Sequence, residues 1–237
     1  MKRIPILILC LGGQGASVLS RTFNVCGMSF GNEKTYWQPE FLFPHGEHSY
    51  VTMIMAWIYQ RPKEEWQPML RDVLRSYRRE AEVNDWKCYG IKTSSGICNP
   101  KWEMGVGKIL QEEWPDSLYF GVIRKPYTEN PTAYEGWKGV WAGRKGMVDR
   151  GGIFIPFPDA WLDGSIKRIV ELIGLDWNDK ANEIFNEPFE EKKYSVSLQQ
   201  EDVYYKKYPE EKEQRYYLMS KSLENINRMR KVKNVSN

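Results

Sequence analysis

The feature that most constrains the fold of this chain is an apolar run followed at once by a glycine-rich turn. Residues 4–11 are dominated by Ile and Leu, a composition typical of a strand buried on both faces of a sheet. The turn that follows consists of Gly12, Gly13, Gln14, Gly15, Ala16 and Ser17. A helix is then predicted by the apolar side chains of Val18, Leu19, Phe23 and Cys26. A strand, a tight turn and a helix in this order indicate the start of an α/β fold.

The first residues also resemble a secretory signal peptide, because Lys2 and Arg3 precede an apolar run. Pro5 interrupts that run, the run is short for a signal peptide, and no small-residue cleavage site follows it. We therefore favour a buried strand and expect a cytoplasmic protein. No stretch of the sequence reaches the ~18 apolar residues that a membrane-spanning helix requires, so we expect no membrane span.

Predicted strands and helices alternate along the rest of the chain. Apolar runs indicate strands near residues 86–91 and 118–123. Amphipathic patterns indicate helices near residues 64–82, 101–113, 131–141 and 163–173. This alternation predicts a central parallel sheet with helices on both faces. We expect one domain over residues 1–237, with a mostly helical C-terminal segment from about residue 163.

Two segments, 31–48 and 143–158, are rich in glycine, proline and aromatic residues, and we predict that both are long loops. The second is long enough to form a lid or part of a binding site for an acceptor molecule. A third segment, from about residue 209 to 233, is highly charged and predicts a mostly solvated helix.

Charge and cysteine content exclude several functional classes. The chain has 34 Lys and Arg against 31 Asp and Glu, and this net charge of +3 is too small for bulk binding to nucleic acid. The cysteines form no C-x-x-C pair, and two histidines do not complete a zinc pattern. The chain is also too large and too poor in cysteine to be a disulfide scaffold. We expect reduced, partly buried thiols at Cys10, Cys26, Cys88 and Cys98.

The glycine-rich turn is suited to binding an anion. Such a turn presents backbone N–H groups and the positive end of a helix dipole, and Ser17 adds a hydroxyl donor. The turn lacks the Lys of a Walker A loop, and Val18 occupies the third glycine position of a G-x-G-x-x-G motif. A tight turn without a ligand is the alternative interpretation.

A second strand end has similar chemistry. Arg124 directly follows the strand predicted at 118–123, and Thr132 lies eight residues further along. A guanidinium at a strand end and a hydroxyl at the start of the next helix could hold a second phosphate. Alternatively, Arg124 caps the sheet edge or pairs with Glu129. Ligands of parallel sheets bind outside the carboxyl ends of the strands, so both segments would face one site.

Together these segments resemble the sulfotransferases that use 3′-phosphoadenosine 5′-phosphosulfate (PAPS), in the compact bacterial and phage form of that family. The first loop of the family ends in Ser-Gly-Thr-Ser or Ser-Gly-Thr-Thr, where this chain has Gln-Gly-Ala-Ser at 14–17. The later family signature is Arg-x-Pro with a Ser eight residues after the Arg, and Arg124-Lys125-Pro126 and Thr132 match that spacing. Lys92-Thr93-Ser94 partly matches a Lys-Asp-Pro-like element. The resemblance covers most of residues 4–195.

The resemblance implies a P-loop nucleotide-kinase-like α/β architecture and an enzyme that transfers a sulfuryl group from PAPS to a hydroxyl or amine. The acceptor would be a small molecule, a carbohydrate or a lipid, and neither a metal nor nucleic acid would take part. The implied cofactor-binding residues are Gly12, Gly13, Gln14, Gly15, Ala16, Ser17, Arg124 and Thr132.

Residues 43–48 lie where the family often has an acceptor-cleft element, so Glu47 and His48, followed by His45, are the candidate general bases. A solvated polar loop is the alternative. The family carries a Lys or Arg where this chain has glycines, so the candidate cations for the leaving phosphate are Lys92 and Lys34. The alternative functions are a nucleotide or small-molecule kinase on the same architecture and a nucleotide-binding protein that has lost catalysis.

Overall fold

A parallel β-sheet lies at the centre of the computed structural model. The described residues are 3–9, 15–31, 49–93, 99–124, 137–186 and 198–235. Within them the sheet has four strands, namely β1 (Ile4–Leu9), β2 (Cys88–Thr93), β3 (Leu118–Arg124) and β4 (Ile153–Phe157). The strand order is β2-β1-β3-β4, and every pairing is parallel. The predicted α/β fold with a central parallel sheet is therefore confirmed.

Both faces of the sheet are buried. Side chains of consecutive strand residues point to opposite faces, so Leu7 and Ile91 belong to one core cluster whereas Ile8 and Phe120 belong to the other. Because water reaches neither face, strands of this kind are continuous apolar runs rather than alternating ones. This is why the apolar run at residues 4–11 indicates a strand.

Helices pack on both faces, as the alternation predicts. One face, here called the α1 face, carries α1 (Ala16–Val25), α7 (Asp159–Leu162), α8 (Ser165–Leu172) and α9 (Asp179–Asn186). The opposite face, here called the α6 face, carries α2 (Ser49–Trp57), α3 (Lys63–Val83), α4 (Asn99–Glu103), α5 (Val106–Glu113) and α6 (Trp141–Asp149). The chain continues with α10 (Leu198–Lys207) and α11 (Pro209–Val235).

The prediction that residues 143–158 form one long loop is wrong. This segment contains most of α6 and all of β4. Gly146 is a site of close packing, because a Cβ there would lie 2.5 Å from Nε1 of Trp102, whereas Gly151 has a positive φ of +90°. Pro156 is tolerated because β4 is an edge strand of the described sheet and the nitrogen of Pro156 faces outwards, away from β3.

The helix predicted at 209–233 is present as α11, but it is not a mostly solvated element. It covers the outer edge of β4, where the backbone N–H of Phe154 donates to Oγ of Ser222 at 2.8 Å. Asn225 Nδ2 donates to the carbonyls of Val148 and Gly152, each at 2.9 Å. α11 therefore satisfies backbone groups that would otherwise be left at the sheet edge.

The structure also bears on the expectations about cysteines, membrane spans, metal sites and the first predicted loop. Cys26 and Cys88 are buried free thiols, and burial raises the pKa of Cys88 to about 12. Among the described residues no helix combines the length and apolarity needed to cross a bilayer. In the same ranges no three His, Cys, Asp or Glu side chains form a group that could hold a metal ion. Residues 32–48, which include nearly all of the first predicted loop, lie outside the described residues.

Candidate anion-binding site

The candidate site lies at the carboxyl ends of β1, β2 and β3. The chain passes from β1 to α1 on one face of the sheet, whereas the helix described after β3, α6, packs on the opposite face. Neighbouring parallel strands whose helices leave to opposite faces create a crevice at their carboxyl ends, which is where open α/β sheets bind ligands.

The N-terminus of α1 forms one wall of this site. Gly15 is the N-cap, with φ of +97°, a conformation that glycine adopts without strain. The backbone N–H groups of the first helical turn point out of the helix at this end and carry its partial positive charge. Ala16 and Ser17 open the helix, so their N–H groups belong to this set.

Phe157, the last residue of β4, fixes the position of this N-terminus. A Cβ on Gly15 would lie 2.7 Å from Cγ of Phe157, so the backbone of Gly15 rests directly on the aromatic ring. Trp161 of α7 stacks edge-on against Phe157 and donates from Nε1 to Oγ1 of Thr22, at 3.2 Å. Gly15 is thus required both by its backbone conformation and by its closeness to this ring.

Lys92 brings a cation to the first turn of α1. It lies near the carboxyl end of β2, its side chain points to the α1 face, and only 5% of the residue is exposed. Its Nζ donates to Oγ of Ser17 at 3.1 Å, across 75 residues of sequence. A buried ammonium group beside a helix N-terminus is a place where an anion is stabilised by both charges.

Arg124 lies on the other side of the same helix end. It is the last residue of β3, it is 7% exposed, and it pairs in register with Phe157 of β4. Strand alternation directs its side chain to the α1 face, the face that Lys92 shares. Because Phe157 contacts Gly15, this register places Arg124 next to the start of α1.

The two cations flank the helix end rather than converge on one point. Both Lys92 and Phe120 pair with Ile8, and Arg124 lies four residues beyond Phe120. Sheet geometry therefore separates the Cα atoms of Lys92 and Arg124 by about 16 Å. The arrangement suits a ligand with two anionic groups.

A buried charged cluster supports the end of β3 from the α6 face. Arg215 of α11 donates through Nη1 to the carbonyl of Arg124. It also donates through Nε to Oε1 of Glu211, at 2.7 Å, and Tyr204 donates to Oε2 of that carboxylate at 2.6 Å. Glu211 is 1% exposed. Burial, followed by the hydrogen bond to Glu211, raises the pKa of Tyr204, so this hydroxyl stays neutral.

An aromatic residue joins this cluster to α6. The indole of Trp137 lies between two guanidinium groups, with the Cζ atoms of Arg144 and Arg215 each 4.1 Å from its ring centroid. Its Nε1 donates to Oε1 of Gln214. Cation–π stacking of this kind is strongest where water is excluded, and Trp137 is 3% exposed.

The structure thus brings together part of the predicted site. Gly15, Ala16, Ser17, Lys92 and Arg124 share one edge and one face of the sheet. The other predicted residues, namely Gly12, Gly13, Gln14, His45, Glu47, His48 and Thr132, lie outside the described residues, as does Lys34. Sequence analysis missed Glu211 and Arg215, because a Glu and an Arg four residues apart on a charged helix are typical of a solvated ion pair.

The comparisons with known proteins give no match. No protein-family model matches the chain, and neither the curated proteins nor the solved structures searched contain a match to it.

Proposed function

We propose that this protein transfers a sulfuryl group from PAPS to a hydroxyl or amine acceptor, on a P-loop nucleotide-kinase-like architecture. The observation that carries the proposal is the partly buried hydrogen bond between Lys92 and Ser17 at the start of α1. Lys92 thus brings a cation from β2 to the turn. The turn itself lacks one, since Gly12 and Gly13 stand where the PAPS-dependent sulfotransferases have Lys or Arg.

In this proposal the phosphosulfate group of PAPS binds at the start of α1. The backbone N–H groups of the first turn and the Ser17 hydroxyl hold the 5′-phosphate, and Lys92 neutralises the charge that develops on the bridging oxygen as the S–O bond breaks. Arg124 binds the 3′-phosphate. Its place on the other side of the helix end, about 16 Å from Lys92 between Cα atoms, fits two separate phosphates of one nucleotide.

The acceptor must lose a proton during the transfer. Glu47, His48 and His45 remain the predicted candidates for the base that removes it, because a His or Glu beside cations can act near neutral pH. The acceptor class remains a small molecule, carbohydrate or lipid with a free hydroxyl or amine.

A thermal shift assay tests the nucleotide site. Adenosine 3′,5′-bisphosphate at ~100 times its dissociation constant stabilises a protein by about 2.7 kcal/mol. We expect Lys92→Met and Arg124→Met each to weaken this ligand by roughly tenfold to a hundredfold, since a charged hydrogen bond contributes about 1.5–3 kcal/mol. Lys108→Met is the matched control, because Lys108 lies on α5 with a side chain that is 77% exposed.

Unchanged affinity in both variants would remove the site assignment, whatever the effect of the substitutions on stability. A shift with ATP–Mg²⁺ but not with the bisphosphate would favour the kinase alternative. Binding of the bisphosphate without turnover of PAPS over a panel of acceptors would favour a nucleotide-binding protein without catalysis.

A further inference from the structure

A cavity of about 530 Å³ opens at the carboxyl ends of β3 and β4, between these strands and helices α10 and α11. Ile123 of β3 and Pro156 of β4 form its floor, and the start of α7 contributes Asp159. This volume lies within the range of small-molecule pockets, which extends from roughly 300 to 1,000 Å³.

The cavity is separate from the candidate anion-binding site. Ile123 and Arg124 are consecutive residues of one strand, so their side chains point to opposite faces of the sheet. Ile123 belongs to the core cluster of the α6 face, so the floor that it forms lies across β3 from the N-terminus of α1, and Asp159 of α7 lines the end of the cavity.

The lining of the cavity is predominantly apolar. Tyr216, Met219 and Leu223 recur at three- and four-residue spacing on α11, so they form one stripe along the cavity wall. Tyr216 and Leu223 are 76% and 59% exposed, which places apolar surface at the mouth. Large side chains that lie exposed together around a concave surface are typical of a ligand site.

The charges around the cavity do not favour an anion. Arg215 is neutralised by its ion pair with Glu211 at 2.6 Å, which leaves Asp159 and Glu201 against Lys212. Burial raises the pKa of Tyr205 to about 12, so its hydroxyl remains a neutral hydrogen-bonding group in the wall. Such a site gives an anionic ligand no net attraction to offset the loss of its hydration.

We propose that this cavity binds a neutral small molecule with a flat aromatic or alicyclic body and at least one hydrogen-bonding group. The aromatic walls of Tyr205 and Tyr216 match a flat body, and the polar side chains at the rim match a hydroxyl or amide. The proposal goes beyond sulfuryl transfer, because it requires neither a nucleotide nor a reaction.

Two fluorescent probes with one skeleton test the proposal on the full chain. N-phenyl-1-naphthylamine is neutral and apolar, and 8-anilino-1-naphthalenesulfonate adds a sulfonate to the same ring system. We expect saturable binding of the neutral probe at one site, at least tenfold tighter than binding of the anionic probe. The nucleotide site plays no part in this readout, so its outcome is independent of the bisphosphate assay.

Substitutions on α11 locate the site. Ser220 lines the cavity and is exposed, so Ser220→Trp should fill the cavity and weaken the neutral probe at least tenfold. Asn227→Trp is the matched control, because Asn227 is exposed on the same helix two turns further along, outside the cavity lining. It should change the affinity less than twofold. If the Ser220→Trp variant does not fold, Leu223→Lys at the exposed mouth of the cavity replaces it. This substitution should also weaken binding of the neutral probe.

Three results would overturn the proposal. The first is the absence of saturable binding of the neutral probe to the wild-type chain. The second is equal binding of that probe to the control variant and to the variants in the cavity. The third is binding of the anionic probe as tight as that of the neutral one, which would remove the assignment of a neutral ligand.

Discussion

Two regions of the molecule use the same pair of side chains, an arginine and a glutamate, in different ways. Arg71 and Arg75 of α3 bind Glu113 of α5 from the solvent side, since their side chains are 27% and 56% exposed whereas that of Glu113 is 9% exposed. Near the end of β3, Arg215 and Glu211 have side chains that are only 11% and 1% exposed. The first cluster docks two helices, whereas the second positions the backbone of Arg124 at the candidate site.

The difference shows how burial increases the free energy that is lost when an ion pair is broken. A solvated arginine that loses its carboxylate regains water, so little free energy is lost. A buried arginine cannot do so, and its charge is left uncompensated. Lys92 and Arg124, near the carboxyl ends of β2 and β3, are also nearly inaccessible to water.

The largest expected effect follows from Glu211→Gln, which keeps the shape of the side chain but removes its charge. Arg215 then remains buried without its carboxylate, and the free energy of unfolding should fall by roughly 3–5 kcal/mol. Urea denaturation of the variant beside wild type measures this loss. A loss no larger than that of Glu113→Gln would contradict the contrast between the two clusters.

A smaller effect is expected from Gly15→Ala, which tests how tightly α1 is seated at the site. The variant combines a positive φ with a methyl group 2.7 Å from the ring of Phe157, so we expect a loss of about 2–4 kcal/mol. Gly164, the N-cap of α8, has φ of +72°, and a methyl group added there would meet no atom within 4 Å. Gly164→Ala should therefore cost about 1 kcal/mol, and equal losses would show that Phe157 does not constrain Gly15.

The smallest effect is expected from Glu113→Gln, at about 1 kcal/mol near neutral pH. Burial raises the pKa of Glu113, but hydrogen bonds from Arg75 and Arg71 outweigh it and hold the pKa below the ordinary value of 4.5. The carboxylate therefore contributes stability above about pH 4.5, and this contribution disappears as the pH falls through the lowered pKa. Urea midpoints of variant and wild type should converge in acid. A difference that persists at pH 2 would assign the effect to packing instead.

Much of the sheet could be predicted from the sequence, because β1 and β3 consist almost entirely of apolar residues. β4 could not, since a segment with Pro156 and several glycines is typical of a loop. In the structure Pro156 lies on an edge strand, and Gly146, on the preceding helix α6, packs against the indole of Trp102. The sequence offers two candidate cations for the turn, Lys92 and Lys34. It does not show that Lys92 contacts Ser17, because this contact depends on the pairing of β2 with β1.

The cluster behind Arg124 was not predictable by the same reasoning. The highly charged segment 209–233 predicts a helix, but the charged residues are distributed around it, and nothing in the pattern shows that Glu211 faces inwards. Inward placement depends on Trp137, which is far away in the sequence, and on Tyr204, which belongs to a separate helix, α10. The roles of His45, Glu47, His48 and Thr132 stay predictions.

The way α11 covers β4 also bears on association between copies of the chain. An open sheet edge is a template onto which another strand can add, the first step of many aggregates. At this edge Pro156 has no N–H to offer, and the N–H of Phe154 is already bonded to Ser222. An incoming strand would have to displace a helix of 27 residues before it could pair. The helix that supports the candidate site from behind thus also protects the sheet against extension by a second chain.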